Sequence, residues 1–256
     1  MNKQYDTIII GAGHNGLVTA CYLAKAGQNV LVLEKRNVLG GAAGTEETFP
    51  GFKMNVGAEH ANLFRKEILD ELGLAKEGLV IKESNVVSHS LNADGPDLTI
   101  HTDVAKTTAN IAKLSQTDST RYADFCEYFS KMATMLRATN AKKPIDPTEV
   151  SAGDIFNLKS DLHNWLPVVK QLRGMGKKDM PEFLRVLPMN VYEFLNEWFE
   201  NDILKGSLGS KAVTGSQLGP RSAGTSFMLF YMNAGIGHNG LTPPSVIQGG
   251  MGNLSE

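Results

Sequence analysis

The chain has 256 residues, of which 42% are hydrophobic and 20% charged, and its net charge is −2. That composition describes a globular protein with ample core for one large domain or two modest ones. A charge balance so near neutral excludes the basic face of a nucleic-acid binder, and Cys21 and Cys126 are too far apart for metal spacing. The longest apolar stretch, Phe227–Met232, is far too short to span a bilayer. No signal or transit pattern precedes the first strand, and the cysteine usage suits a reducing compartment. The expected location is the cytoplasm.

The first element is an apolar run, Thr7–Ile10, that leads into Gly11-Ala12-Gly13-His14-Asn15-Gly16. A helical stripe follows (Leu17, Val18, Cys21, Leu23, Ala24), closed by Gly27, and a second run, Val30–Leu33, ends on Glu34. Strand, glycine turn, helix, strand and acid in this order form a dinucleotide-binding pattern. Gly11 permits the tight turn, Gly13 lets a pyrophosphate approach the backbone, and Gly16 lets the helix pack close to the sheet. The free N–H groups and the positive dipole end of the helix face the phosphates, where His14 is placed to donate. Glu34 stands where a carboxylate accepts ribose hydroxyls and repels a 2′-phosphate. Cys21 is expected to be a small core residue.

Lys35-Arg36 and the doublet Gly40-Gly41, followed by Ala42, come next. The doublet either closes over the pyrophosphate, with Arg36 near enough to favour negative charge, or is a flexible loop. The stretches GAGHNGLVTACYLAKAG, LEKRNVLGGAAGTEE and PGFKMNVGAEH together resemble the FAD-dependent oxidoreductases of the phytoene desaturase type. Within that group they are most similar to the pyridine nucleotide-disulphide oxidoreductase domain-containing branch. The resemblance implies an α/β fold, in which a Rossmann-like FAD-binding domain carries an inserted, largely helical α+β substrate domain. It implies FAD, with Gly11, Gly13 and Gly16 at the pyrophosphate and Glu34 on the ribose. Gly40, Gly41 and Ala42 would line the cofactor, and Gly57 and Ala58 would lie near the flavin ring. Many relatives carry Arg where this chain has Ala42, which removes a cationic phosphate contact.

On this reading residues 1–60 form the dinucleotide-binding βαβ region and 61–248 a portion of the substrate domain. Residues 249–256 begin the return to the FAD domain, and the chain is expected to stop before the C-terminal FAD segment. Within the middle portion a short helix spans His60–Leu72, capped by Gly73, and a hairpin spans 79–100 with its turn at Asn92–Pro96. Residues 103–213 read as helical. Asp103 is an N-cap, Tyr122, Phe125, Phe129, Met132 and Leu136 share one face, and Asp202–Val213 is a further helix. Lys142–Thr148 is a linker, Arg173–Lys178 a basic glycine loop and Ala152–Leu172 a helix. The apolar run from Leu184 to Phe199 is mostly core, with part available to line an entrance for a lipid-like substrate or to rest on a membrane surface. Thr225–Met232 reads as a strand that returns to the substrate sheet.

No catalytic triad or metal cluster emerges, and a flavin needs neither, because position and polarity are what a protein supplies to it. Glu59 and His60 could orient substrate, or His60 could make only a local hydrogen bond. Glu46-Glu47 reads as a solvated loop, and His89, His101, His163 and His238 show no ligand spacing. No catalytic residue is assigned. The leading function is an FAD-dependent oxidoreductase acting on an apolar or amine-like small molecule. The alternatives are a non-catalytic nucleotide-binding regulatory protein and an NAD-dependent dehydrogenase. Partners are expected to be a small-molecule substrate, no nucleic acid, a peripheral membrane contact at most, and a second copy if the unfinished sheet self-associates.

Overall fold

The computed structural model describes residues 4–140, 165–166, 168–170, 173–234 and 241–256. The linker Lys142–Thr148, most of the helix expected at Ala152–Leu172, His163 and His238 lie outside the described residues. By internal contact the chain divides into two bodies, Met1–Ser84 with Pro243–Glu256, and Asn85–Thr242. The boundaries read from the sequence were at 60 and 248.

In the first body, β1 (Thr7–Ile10) and β2 (Val30–Leu33) pair in parallel, Thr7 opposite Val30 and Ile10 opposite Leu33. A parallel pair needs a crossover, and α1 (His14–Lys25) supplies it. Gly16 brings the helix onto the sheet, since a Cβ there would lie 2.3 Å from the Gly11 carbonyl oxygen and 3.4 Å from Ile9 Cγ2. Cys21 is exposed rather than part of the core. At 100° per residue it points about 140° away from Gly16, off the face that meets the sheet.

A 3-10 turn, Gly41–Ala43, leads to the antiparallel hairpin of β3 (Thr45–Phe49) and β4 (Phe52–Asn55). Glu46 and Glu47 therefore lie on a strand, not in a loop. The helix expected from His60 is confined to α2 (Lys66–Leu72), whose left-handed cap is Gly73 at φ 67°. Next, β5 (Ile81–Glu83) pairs with β8 (Ser245–Ile247), so the last segment of the chain is tied to this body. The expected further helix at 249–256 is a 3-10 turn, Met251–Leu254.

The second body begins with β6 (Val86–Ser90) paired antiparallel to β7 (Leu98–His101). The hairpin predicted over 79–100 is thus real only from Val86 onward, because β5 pairs with β8 instead. Helices α3 (Val104–Ile111) and α4 (Gln116–Asn140) follow. Asp103 caps α3, its Oδ1 accepting from the amides of Ala105 and Lys106 at 2.9 and 3.1 Å. Then come α5 (Gly176–Val186), α6 (Val191–Trp198), α7 (Asp202–Val213) and α8 (Thr225–Met232). The start of α5 takes up part of the basic segment expected to be a loop.

The core of this body is aromatic. Tyr122, Phe125, Phe129, Met132 and Leu136 of α4 are all buried, as the helical spacing predicted. Phe125 packs on Phe199 with ring centroids 5.0 Å apart, and Phe129 packs on Phe230 at 4.9 Å. Val186, Val191, Phe194, Leu195 and Phe199 are buried as well, while Leu184 and Tyr192 are exposed. Phe230 lies on α8, so Thr225–Met232 is a helix and not the expected strand. The run is apolar all round and carries no period that tells a buried helix from a buried strand. Gly224, at φ 79°, and the Met228 amide donating to the Gly224 carbonyl at 3.2 Å start the helix.

Asp118 is fully buried in the first turn of α4. Its two carboxylate oxygens accept from the backbone amides of Glu200 and Asn201 at 2.9 and 2.8 Å. The same carboxylate thereby fixes the entry to α7, where Asn201 is the N-cap.

Candidate functional site

The site is built where β1 ends. Gly11 turns the chain at φ 102°, and its amide donates to the Leu33 carbonyl at 2.7 Å. Gly13 is extended and caps α1 without a side-chain hydrogen bond, and no acid stands in the first turn. The amides of His14, Asn15 and Gly16 begin a helix and have no carbonyl behind them within it. With the dipole uncompensated, this end of α1 is a place for an anion.

Glu34 closes one side of the turn. Its Oε2 accepts from the Ala12 amide at 2.7 Å and its Oε1 from the Arg36 amide at 2.9 Å. These bonds, the Arg36 amide foremost, hold its carboxyl below the usual carboxylate range. A carboxylate has about four lone-pair positions, so capacity to accept a hydroxyl remains beside these backbone bonds.

The glycine doublet forms the other side. The Gly40 amide donates to the Ala12 carbonyl at 2.8 Å, and Gly13 and Gly40 make a parallel bridge. Gly41, at φ 59°, passes so close that a Cβ there would lie 3.1 Å from Gly13 Cα. Both its backbone angle and this approach therefore call for glycine at 41. Ala42 in turn accepts the Ala58 amide at 2.8 Å, and a Cβ on Gly57 would stand 2.8 Å from the Ala42 oxygen. The glycine turn, Glu34, the doublet and Gly57-Ala58 are therefore one continuous cradle. Arg36 is held by an ion pair with Glu46, while Lys35 is exposed.

Sequence reasoning missed the support behind this cradle. Asn55 Oδ1 accepts from Thr45 Oγ1 at 2.8 Å and from the Met251 amide at 2.9 Å, and Thr45 Oγ1 accepts from the Gly252 amide at 2.8 Å. The Ser255 hydroxyl lies against Gly40, where a Cβ would come within 2.9 Å of it. Asn62 ties the same segment by donating to the Pro243 carbonyl and accepting from the Ser245 amide, both at 2.8 Å. The one available signal was compositional: Gly249-Gly250-Met251-Gly252 repeats the need for close backbone approach.

Other titratable candidates do not converge on a reaction centre. Glu59 and His60 are exposed and 4.0 Å apart. His89 bridges Thr99 and Asp97 on the β6–β7 hairpin. Burial pushes the Cys126 thiol up to about 11, so it stays protonated and unreactive at neutral pH. Among the described residues no group of three or more His, Cys, Asp or Glu could hold a metal ion, and no helix is long and apolar enough to cross a membrane.

Residues 9–72 match the family described as NAD(P)-binding Rossmann-like domain. The chain is similar to pyridine nucleotide-disulfide oxidoreductase domain-containing protein 2 of Rattus norvegicus. The two are 32% identical over 263 aligned residues, covering 100% of this chain and 45% of the relative. It is also similar to one of the subunits of limonene dehydrogenase from Castellaniella defragrans, 36% identical over 151 residues, which is 58% of this chain and 27% of that protein. The chain spans less than half the length of the curated relatives that it matches throughout. Among solved structures, a triple mutant of putrescine oxidase aligns with a TM-score of 0.56 at 17% identity, covering 98% of this chain and 48% of the other. That is a likeness of fold. The similarities bear out the resemblance read from the glycine motifs, and the fold is Rossmann-like.

Proposed function

We propose that the chain holds FAD and forms part of an oxidoreductase that takes hydride from an apolar or amine-like small molecule. The observation that carries this is the joining of two glycine turns, Gly11–Gly16 and Gly40-Gly41, above an uncapped helix start with Glu34 at its side. A single-turn dinucleotide site does not require the second turn, which is why FAD is favoured over NAD. The likeness to a limonene dehydrogenase supports an apolar substrate.

Each residue then has a task that its chemistry allows. The amides of His14, Asn15 and Gly16 would receive the diphosphate, and the bare Cα of Gly13 would leave room for it. Glu34 would accept the ribose hydroxyls with its remaining lone pairs, and its charge, kept ionised by the two amides, would repel a 2′-phosphate. Arg36, paired with Glu46, would add little net charge on the same side. Gly57 and Ala58, packed on Ala42, would border the ring. A bound flavin supplies a ring that accepts a hydride, and the protein's part is to align the donor and exclude water.

The test is a titration of FAD into the chain, followed by flavin fluorescence, with NADP and NADH as competitors. FAD should bind saturably, Glu34→Ala should weaken it about tenfold or more, as loss of charge-assisted hydrogen bonds implies, and NADP should not compete. Equal binding by the wild type and Glu34→Ala would sink the assignment of the ribose contact. Saturable binding of NADH but not FAD would sink the flavin.

A further inference from the structure

A groove of about 270 Å³ opens on the second body between α6, α7 and the turn that carries Pro220. Val191 and Leu195 of α6 and Val213 of α7 give it an apolar floor, and Tyr192 and Pro220 form a wall. The Tyr192 amide donates to the Pro220 carbonyl at 3.1 Å, which fixes that wall.

Two glycines of α7 line the groove for different reasons. A Cβ on Gly209 would come within 3.3 Å of Leu195 Cδ1, so this glycine permits close helix packing. A Cβ on Gly206 would meet nothing within 4 Å. Glycine weakens a helix interior relative to alanine, and no neighbour of Gly206 demands it. What Gly206 leaves is open space in the groove.

One cation stands against the Tyr192 wall. The Arg221 guanidinium lies 4.3 Å from the centroid of the Tyr192 ring and pairs with no carboxylate among the described residues. Lys205 lines the groove, but it is ion-paired with Asp202 at 2.9 Å and donates to Asn196 Oδ1 at 2.7 Å. Asp202, which also lines the groove, offsets Lys205, and Arg221 remains. The volume of the groove falls below the roughly 300–1,000 Å³ of pockets for drug-sized ligands, so the occupant must be slim.

We propose that this groove binds a short- to medium-chain aliphatic carboxylate. The tail lies over Val191, Leu195 and Gly206, and the head group meets Arg221. This site is separate from the dinucleotide cradle and does not depend on the function proposed for it.

The experiment is calorimetric titration of the full chain with octanoate and, for comparison, octylamine, which has the same tail and the opposite charge. Octanoate should bind at one saturable site and octylamine about tenfold or more weakly, since the Arg221 charge would then repel the head group. Gly206→Leu should fill the groove and abolish binding while melting no lower than the wild type. Arg221→Gln, an exposed change that leaves the core untouched, should weaken octanoate severalfold. The proposal is overturned if octanoate shows no saturable binding, if octylamine binds equally well, or if either variant binds octanoate as the wild type does.

Discussion

The Oε2 oxygen of Glu34 lies 2.7 Å from the amide nitrogen of Ala12, across the turn from the end of β2 to the loop after β1. The acid that ends the second strand thus also sets the shape of the glycine turn. Glu34→Gln should therefore do two things: reduce affinity for the ribose and loosen the turn. The linkage sign follows from its lowered pKa, because the folded state keeps the carboxylate ionised to lower pH than the unfolded state does. Its contribution is complete above the ordinary value of 4.5 and fades as pH falls through the lower folded value. Urea unfolding of both proteins across the acid range should show a constant difference above that value and a shrinking one below it.

Gly16 and Gly41 should not tolerate a methyl group. Gly16→Ala drives a Cβ to 2.3 Å from the Gly11 oxygen and should lower stability by about 1–3 kcal/mol, as overpacking does. Gly41→Ala combines φ 59° with a 3.1 Å approach to Gly13 and should cost about 1–2 kcal/mol for the left-handed backbone alone. By contrast, Gly206→Ala, in open space on a helix, should stabilise by up to about 1 kcal/mol. Thermal melts of the three variants check the order.

Asp118→Ala leaves the part-buried amides of Glu200 and Asn201 without their acceptor. Each orphaned group costs about 1–3 kcal/mol, so chemical denaturation should show a loss of several kcal/mol. Asp118→Asn keeps one acceptor oxygen and should lose less.

Lys211 donates to the Thr242 carbonyl, and desolvation pushes its amine down to about 8 from the ordinary 10.5. Between these values the unfolded chain binds the proton and the folded chain does not, so stability rises with pH. The rise should run from about pH 8 towards 10.5 and be missing in Lys211→Met, in unfolding curves taken at each pH.

What could be read from the sequence was what the backbone demands locally. Gly11, Gly13, Gly16 and Gly40-Gly41 are positions where a turn or a close approach favours a bare backbone, and the acid at Glu34 follows at fixed distance. Asp103 as a cap and the aromatic face of α4 were legible for the same reason, since both are local in the chain. Thr225–Met232 was misread because a run that is apolar on almost every side has no sequence period. Asp118 hid its task, because an acid in a first helical turn looks like a partner for the dipole. Its actual partners are 82 and 83 residues away. The support of the cradle by Met251 and Gly252 was equally hidden, with Asn55 and Thr45 reached only across 196 and 207 residues. Ile81–Glu83 found its strand partner in Ser245–Ile247 for the same reason: pairing over long separations is chosen by the whole fold.

The central claim is that the two glycine turns and Glu34 make one cradle for FAD. The most direct measurement is the visible spectrum of the purified chain after loading with excess FAD and removal of the free cofactor, with mass identification of whatever heat then releases. The account predicts a yellow protein that releases FAD, and a paler one for Glu34→Ala. A colourless wild type after loading, folded by circular dichroism, would contradict it.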